Sequence, residues 1–74
     1  MADVTIDAIG KKCPLPIVMI SQAFRGIDSG KTVEVTADDL AFEEDIKAFC
    51  RVSGHSLQSF KETGKVFIAV IRKV

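Results

Sequence analysis

The 74-residue chain predicts an α+β fold, a two-layer α/β sandwich of order β-α-β-α-β-β, with a four-stranded mixed sheet and two helices on one face. Three observations lead there. Apolar residues alternate with polar ones near both ends and in the middle of the chain, the period of strands. Two intervening segments change to helical spacing, each with a glycine at its end. Two helices can cover only one face of a four-stranded sheet, so the other face stays open. A chain of this size buries roughly 60% of the surface its unfolded form exposes, enough for one core, so residues 1–74 are expected to form one domain.

"VTIDA" is the first strand, with Val4, Ile6 and Ala8 alternating with Thr5 and Asp7. After Gly10, residues Pro16, Ile20, Ala23, Phe24 and Ile27 gather on one face of a helix that starts at or just after Cys13 and ends near Gly26. Ser29 to Lys31 is a turn, and Thr32 to Ala37 is a second strand with Val33 and Val35 inward. This first βαβ unit should be parallel and right-handed. Asp38 and Asp39 announce a second helix, acidic in its first turns (Glu43, Glu44, Asp45) and basic later (Lys47, Arg51), as the dipole prefers. Its buried stripe is Phe42, Ile46, Phe49 and Cys50, and Gly54 is placed to end it. "HSLQSFKE" is a weaker strand, because Leu57 and Phe60 have opposite parity and call for a bulge. "KVFIAVIRK" is the stronger one, joined to it by the turn at Gly64 as an antiparallel hairpin. Along it, Val66, Ile68 and Val70 face one way and Phe67, Ala69 and Ile71 the other. One of these sets must lie on the uncovered face, as ordinary apolar surface or as a docking patch.

Hydrophobic residues make up 47% of the chain, which fits a globular fold. Ten basic residues balance ten acidic ones, against the broad basic footprint of a nucleic-acid binder. No stretch approaches the ~18 apolar residues of a membrane span, and the N-terminus lacks the charged head and apolar run of a signal peptide. The chain therefore reads as cytoplasmic, where its two cysteines stay reduced. Cys13, Cys50 and His55 are the only soft metal-ligand candidates, too few for a zinc site. With no glycine-rich phosphate loop and no Ser/His/Asp set, neither a metal nor a bound cofactor is expected. The chain is expected to be a monomer or a weak dimer.

The chemistry gathers in "GKKCPLPIVM", Gly10 to Met19. The first amides of a helix have no intrahelical acceptor, so Pro14 and Pro16 cost little at its start. They stiffen the direction in which Cys13 leaves the strand. The helix dipole and a free amide, such as that of Leu15 or Ile17, should favour a thiolate. Lys11 and Lys12 add a modest, screened positive charge or guide partners. Pro16 occupies the place where a C-x-x-C motif needs its second thiol, which argues against a dithiol cycle. A lone thiolate can instead hold a sulfane sulfur as a persulfide. On helical spacing Leu15, Val18, Gln22 and Arg25 fall away from the core stripe, and Leu15 and Val18 are read as the contact surface around the thiol. Cys50 reads as packing, His55 as a surface residue at a strand start, and the acids from Asp38 to Asp45 as caps and a solvated helix start.

"IDAIGKKCPLP" and "TVEVTADDLAFEEDIKAFCRVSGHSL", with the pairs Asp45–Ile46, Phe49–Cys50 and Gly54–His55 and the closing Ile71–Arg72–Lys73, resemble the TusA/SirA family of small sulfur carriers. The resemblance implies the same β-α-β-α-β-β sandwich. It implies that Cys13 receives persulfide sulfur from a cysteine desulfurase or rhodanese and passes it to a DsrE-like or other acceptor thiol, with no cofactor beyond that covalent sulfur. Family members serve tRNA thiolation, molybdenum-cofactor-related sulfur supply or dissimilatory sulfur metabolism. Leu15 stands where tRNA-thiolation members resemble C-P-E-P, Lys11 where a leucine is frequent and Lys47 where a proline is frequent, so the pathway stays open. Two rival readings remain: a non-catalytic regulatory or interaction module, and a redox-sensing thiol.

Overall fold

Strand β1 (Val4–Ala8) runs parallel to β2 (Thr32–Ala37), in register from Val4 beside Val33 to Ala8 beside Ala37. Helix α1 (Leu15–Arg25) makes the crossover between them. The computed structural model describes residues 2–74. After β2 come α2 (Phe42–Ser53), β3 (Ser56–Thr63) and β4 (Val66–Arg72), in the predicted order. β4 inserts between β2 and β3, antiparallel to both, and the sheet order is β1-β2-β4-β3. The most apolar strand therefore becomes central, where its β-branched run packs best.

The core lies between the sheet and the two helices. Ile20 and Phe24 of α1 and Phe42, Ile46 and Cys50 of α2 pack on Ile6, Ala8, Val33, Val35, Ala37, Phe67, Ala69 and Ile71. The parity break in β3 is a register shift: Leu57 faces Ile71, but Ser59 faces Val70. The extra residue, Gln58, turns Phe60 back to the covered side, where its ring lies 6.2 Å from Phe42 and 5.7 Å from Phe67.

The two helix ends are held differently. α2 stops at Gly54, left-handed at φ 83°, whose amide donates to Cys50 O. That is the predicted glycine cap. Gly26, after α1, is not left-handed. There the Lys73 ammonium donates to the carbonyls of Phe24 and Ile27 at 2.5 and 2.7 Å, neutralising the negative end of the helix.

On the open face, Val66, Ile68 and Val70 are half-buried. They form one row between Thr63, Lys61 and Ser59 of β3 and Glu34 and Thr36 of β2. A single apolar row between polar ones is ordinary surface. The large exposed apolar side chains are Ile9, Leu15, Val18, Leu40, Val52 and Val74, none of them on this face.

Candidate functional site

Parallel pairing puts the C-terminal ends of β1 and β2 side by side, so the loops that follow them meet at one edge of the sheet. Gly10, left-handed at φ 81°, turns the first loop. Its amide donates to Asp38 Oδ1 at 2.9 Å, and the Cys13 amide donates to Asp39 Oδ2 at 2.7 Å. The Lys11 amide returns to Ala8 O, and the Cys13–Pro14 peptide is cis. The thiol-bearing loop is thus tied to the connection between β2 and α2 at two points.

This changes the expected role of the acids. α2 is capped by Ala41 without any side-chain hydrogen bond. Asp38 and Asp39 direct their carboxylates to the neighbouring loop, with a weaker contact from the Ala41 amide to Asp39 Oδ1 at 3.4 Å. Only Glu43, Glu44 and Asp45 remain in the first turn, where a dipole role fits.

Cys13 is exposed, and Asp45 shares with it the thiol end of a groove between the two helices. The neighbouring Asp45 carboxylate, partial desolvation and the charge of Asp39 all push the thiol above its ordinary range. A thiolate favoured by the helix end and by Lys11 and Lys12 is therefore not what the structure shows. The reason is geometric: α1 begins only at Leu15, Lys11 and Lys12 point to solvent as exposed residues, and the first turn of α2 brings a carboxylate to the sulfur.

Between the helices runs an open groove of about 400 Å³, with Cys13, Pro14 and Ile17 on one side and Asp45, Ala48, Phe49 and Val52 on the other. Its walls are apolar apart from Cys13 and Asp45 at the thiol end and Ser53 at the last residue of α2. Pro14 precedes α1 directly, and Pro16 is buried in the first turn of α1. Leu15 and Val18 are 43% and 41% exposed, high for such side chains, and stand in the first turns of α1, next to the thiol. Arg25 ends the same helix, ten positions after Leu15 or about 15 Å along it, so the structure does not bring it to Cys13.

His55 is not the free surface residue its position suggested. It is half-buried, its ring centre is 4.5 Å from that of Phe24, and its Nδ1 accepts the Val74 amide at 3.2 Å. The turn at Gly54 folds it back over the end of α1. Cys50 is 8% exposed and faces the core, and burial raises its thiol as well. Among the described residues, no group of three or more His, Cys, Asp or Glu is placed to hold a metal ion, and no helix is long and apolar enough to cross a membrane. Sequence reasoning missed Asp45 and the groove. The signal was present, because Asp45, Ala48, Phe49 and Val52 repeat at i, i+3, i+4 and i+7, a second stripe flanking the buried one.

A crystal structure of a SirA-like protein from Desulfitobacterium hafniense superposes with a TM-score of 0.83, covering 93% of this chain and 95% of that one at 24% identity. The two chains share the fold. The family model for sulfurtransferase TusA matches residues 4–73, from the first residue of β1 to the lysine that caps α1. With that match spanning both helices, the whole sheet and the Cys13 loop, the chain belongs to the TusA family of sulfurtransferases, small sulfur carriers of the TusA/SirA type.

Proposed function

We propose that the chain carries sulfane sulfur as a persulfide on Cys13, taking it from a donor such as a cysteine desulfurase or a rhodanese and passing it to the thiol of a DsrE-like or other acceptor protein. The observation that supports this best is the placement of the two thiols. Cys13 is exposed at the mouth of an apolar groove, while Cys50 is buried on the far side of α2. A sulfur atom on Cys13 is open to a partner and has no resolving thiol in its own loop. Pro14 and Pro16 set the direction of the thiol, and Leu15, Val18, Lys11 and Lys12 surround it as partner contacts. Arg25 would serve only a partner large enough to reach the far end of α1.

A redox-sensing role fits less well, because sensor thiols work through an easily formed thiolate and this thiol is shifted the other way. Intact mass after incubation with a cysteine desulfurase and cysteine tests the carrier. A gain of about 32 Da per sulfur is expected, lost in Cys13→Ala and kept in Cys50→Ala. An unmodified Cys13 under these conditions overturns the reading.

A further inference from the structure

The groove gives Cys13 a neighbour that sulfur carriage alone does not require. Asp45 heads the α2 stripe of Ala48, Phe49 and Val52 and shares the thiol end of the groove with Cys13. Its carboxylate is placed to accept the S–H of that neighbour. It has no cationic partner: among the described residues, the ion pair found joins Lys47 to Glu43. The backbone of Cys13 is held from the same side, through the amide bond to Asp39. The amide of Cys13 is thus bound by a carboxylate from the connection into α2, and its thiol shares a groove end with a second carboxylate from the first turn of that helix.

We propose that Asp45 is a positioning residue for Cys13: it binds the thiol hydrogen and aims the sulfur along the groove until a docked partner neutralises the carboxylate. The proposal deepens the carrier reading and rests on it for the fate of the released thiolate. The groups facing Cys13 are Asp45 from α2, Asp39 from the β2–α2 connection, Lys11 and Lys12 on its own loop, and the apolar Pro14 and Ile17 beside α1. Glu44, Lys47 and Arg51 line a neighbouring hollow with Asp45. A thiolate formed here lies beside a carboxylate without a cationic partner, and the repulsion disfavours it.

Once a partner's cation removes that repulsion, the thiol proton passes to solvent and the thiolate attacks the outer sulfur of the donor persulfide. Cys13–S⁻ plus R–S–SH gives Cys13–S–SH plus R–S⁻. One S–S bond forms, one breaks, and the electron pair leaves on the donor sulfur, with no oxidant or reductant required.

The test is the pH profile of Cys13 alkylation by iodoacetamide, located by peptide mass, in the full chain and in its Asp45→Asn, Asp45→Glu and Glu44→Gln variants. Asp45→Asn should move the midpoint to lower pH. Each unit of that shift multiplies the thiolate fraction about tenfold at pH 7, and the weaker nucleophile returns about threefold, leaving alkylation about threefold faster. Asp45→Glu should restore most of the wild-type profile, and Glu44→Gln should leave it unmoved. An Asp45→Asn profile that overlays the wild type overturns the proposal, and so does a Glu44→Gln shift of equal size. In the wild-type chain, the Asp45 carboxyl carbon and Cys13 Cβ should share one alkaline NMR inflection; separate behaviour overturns it whether or not the variants fold. Neither measurement uses a sulfur donor, so their failure leaves the carrier reading to be judged by the persulfide mass gain.

Discussion

At the scale of single residues, the proposed site combines one exposed thiol with several side chains proposed to present it. Leu15 and Val18 are close to half exposed and lie outside the core cluster, and the proposed carrier role makes them partner contacts. Replacing both by glutamate should slow sulfur transfer to and from partner proteins severalfold, while the unfolding free energy from urea titration stays within about 0.5 kcal/mol of wild type, as for other surface changes. Unchanged transfer rates would remove them from the contact surface. The placement of Cys13 just ahead of α1 was legible from its prolines. Its protonation was not. The sequence places two lysines beside the cysteine and Asp45 thirty-two positions away, and only the packing of α2 on α1 reverses which charge the sulfur meets.

At the scale of elements, period and stripe located all six, because each buries one face and its pattern follows from that. The bulge in β3 was legible for the same reason, since Leu57 and Phe60 can share a face only if one residue is added between them. The acids at the start of α2 were misread because local rules see a cap wherever aspartates precede a helix. Their partners, Gly10 and Cys13, are 28 and 26 residues away. A similar long-range tie joins the first two strands. The Asp3 carboxylate accepts the Thr32 amide at 2.9 Å and its hydroxyl at 3.3 Å. The amide bond, with help from Lys31, holds the Asp3 carboxyl below its usual range. A carboxyl lowered in the folded state contributes stability above its unfolded pKa and loses it as pH falls through the folded one. Asp3→Asn should therefore cost stability at pH 7, and the gap to wild type should close below about pH 4 in urea titrations. A gap that persists at pH 2 would assign the effect to something other than this carboxylate.

At the scale of the whole molecule, the sheet order was not legible. Alternation shows that β4 is apolar on both faces, but not that it would slide between β2 and β3. That insertion carries the end of the chain under α1, where Lys73 caps a helix formed some 50 residues earlier. Lys73→Met keeps the length of the side chain and loses both bonds, so it should destabilise the fold by about 2 kcal/mol in urea unfolding. Sulfur loading of the variant should be normal once it is folded, because α1 separates this contact from the thiol. The helix is 11 residues long, about 16 Å from end to end. The same separation bears on handling the protein. A dye, an affinity tag or a surface tether added after Val74 leaves beside the C-terminal end of α1, away from the thiol at its other end, so an immobilised or labelled protein still offers Cys13 to solution.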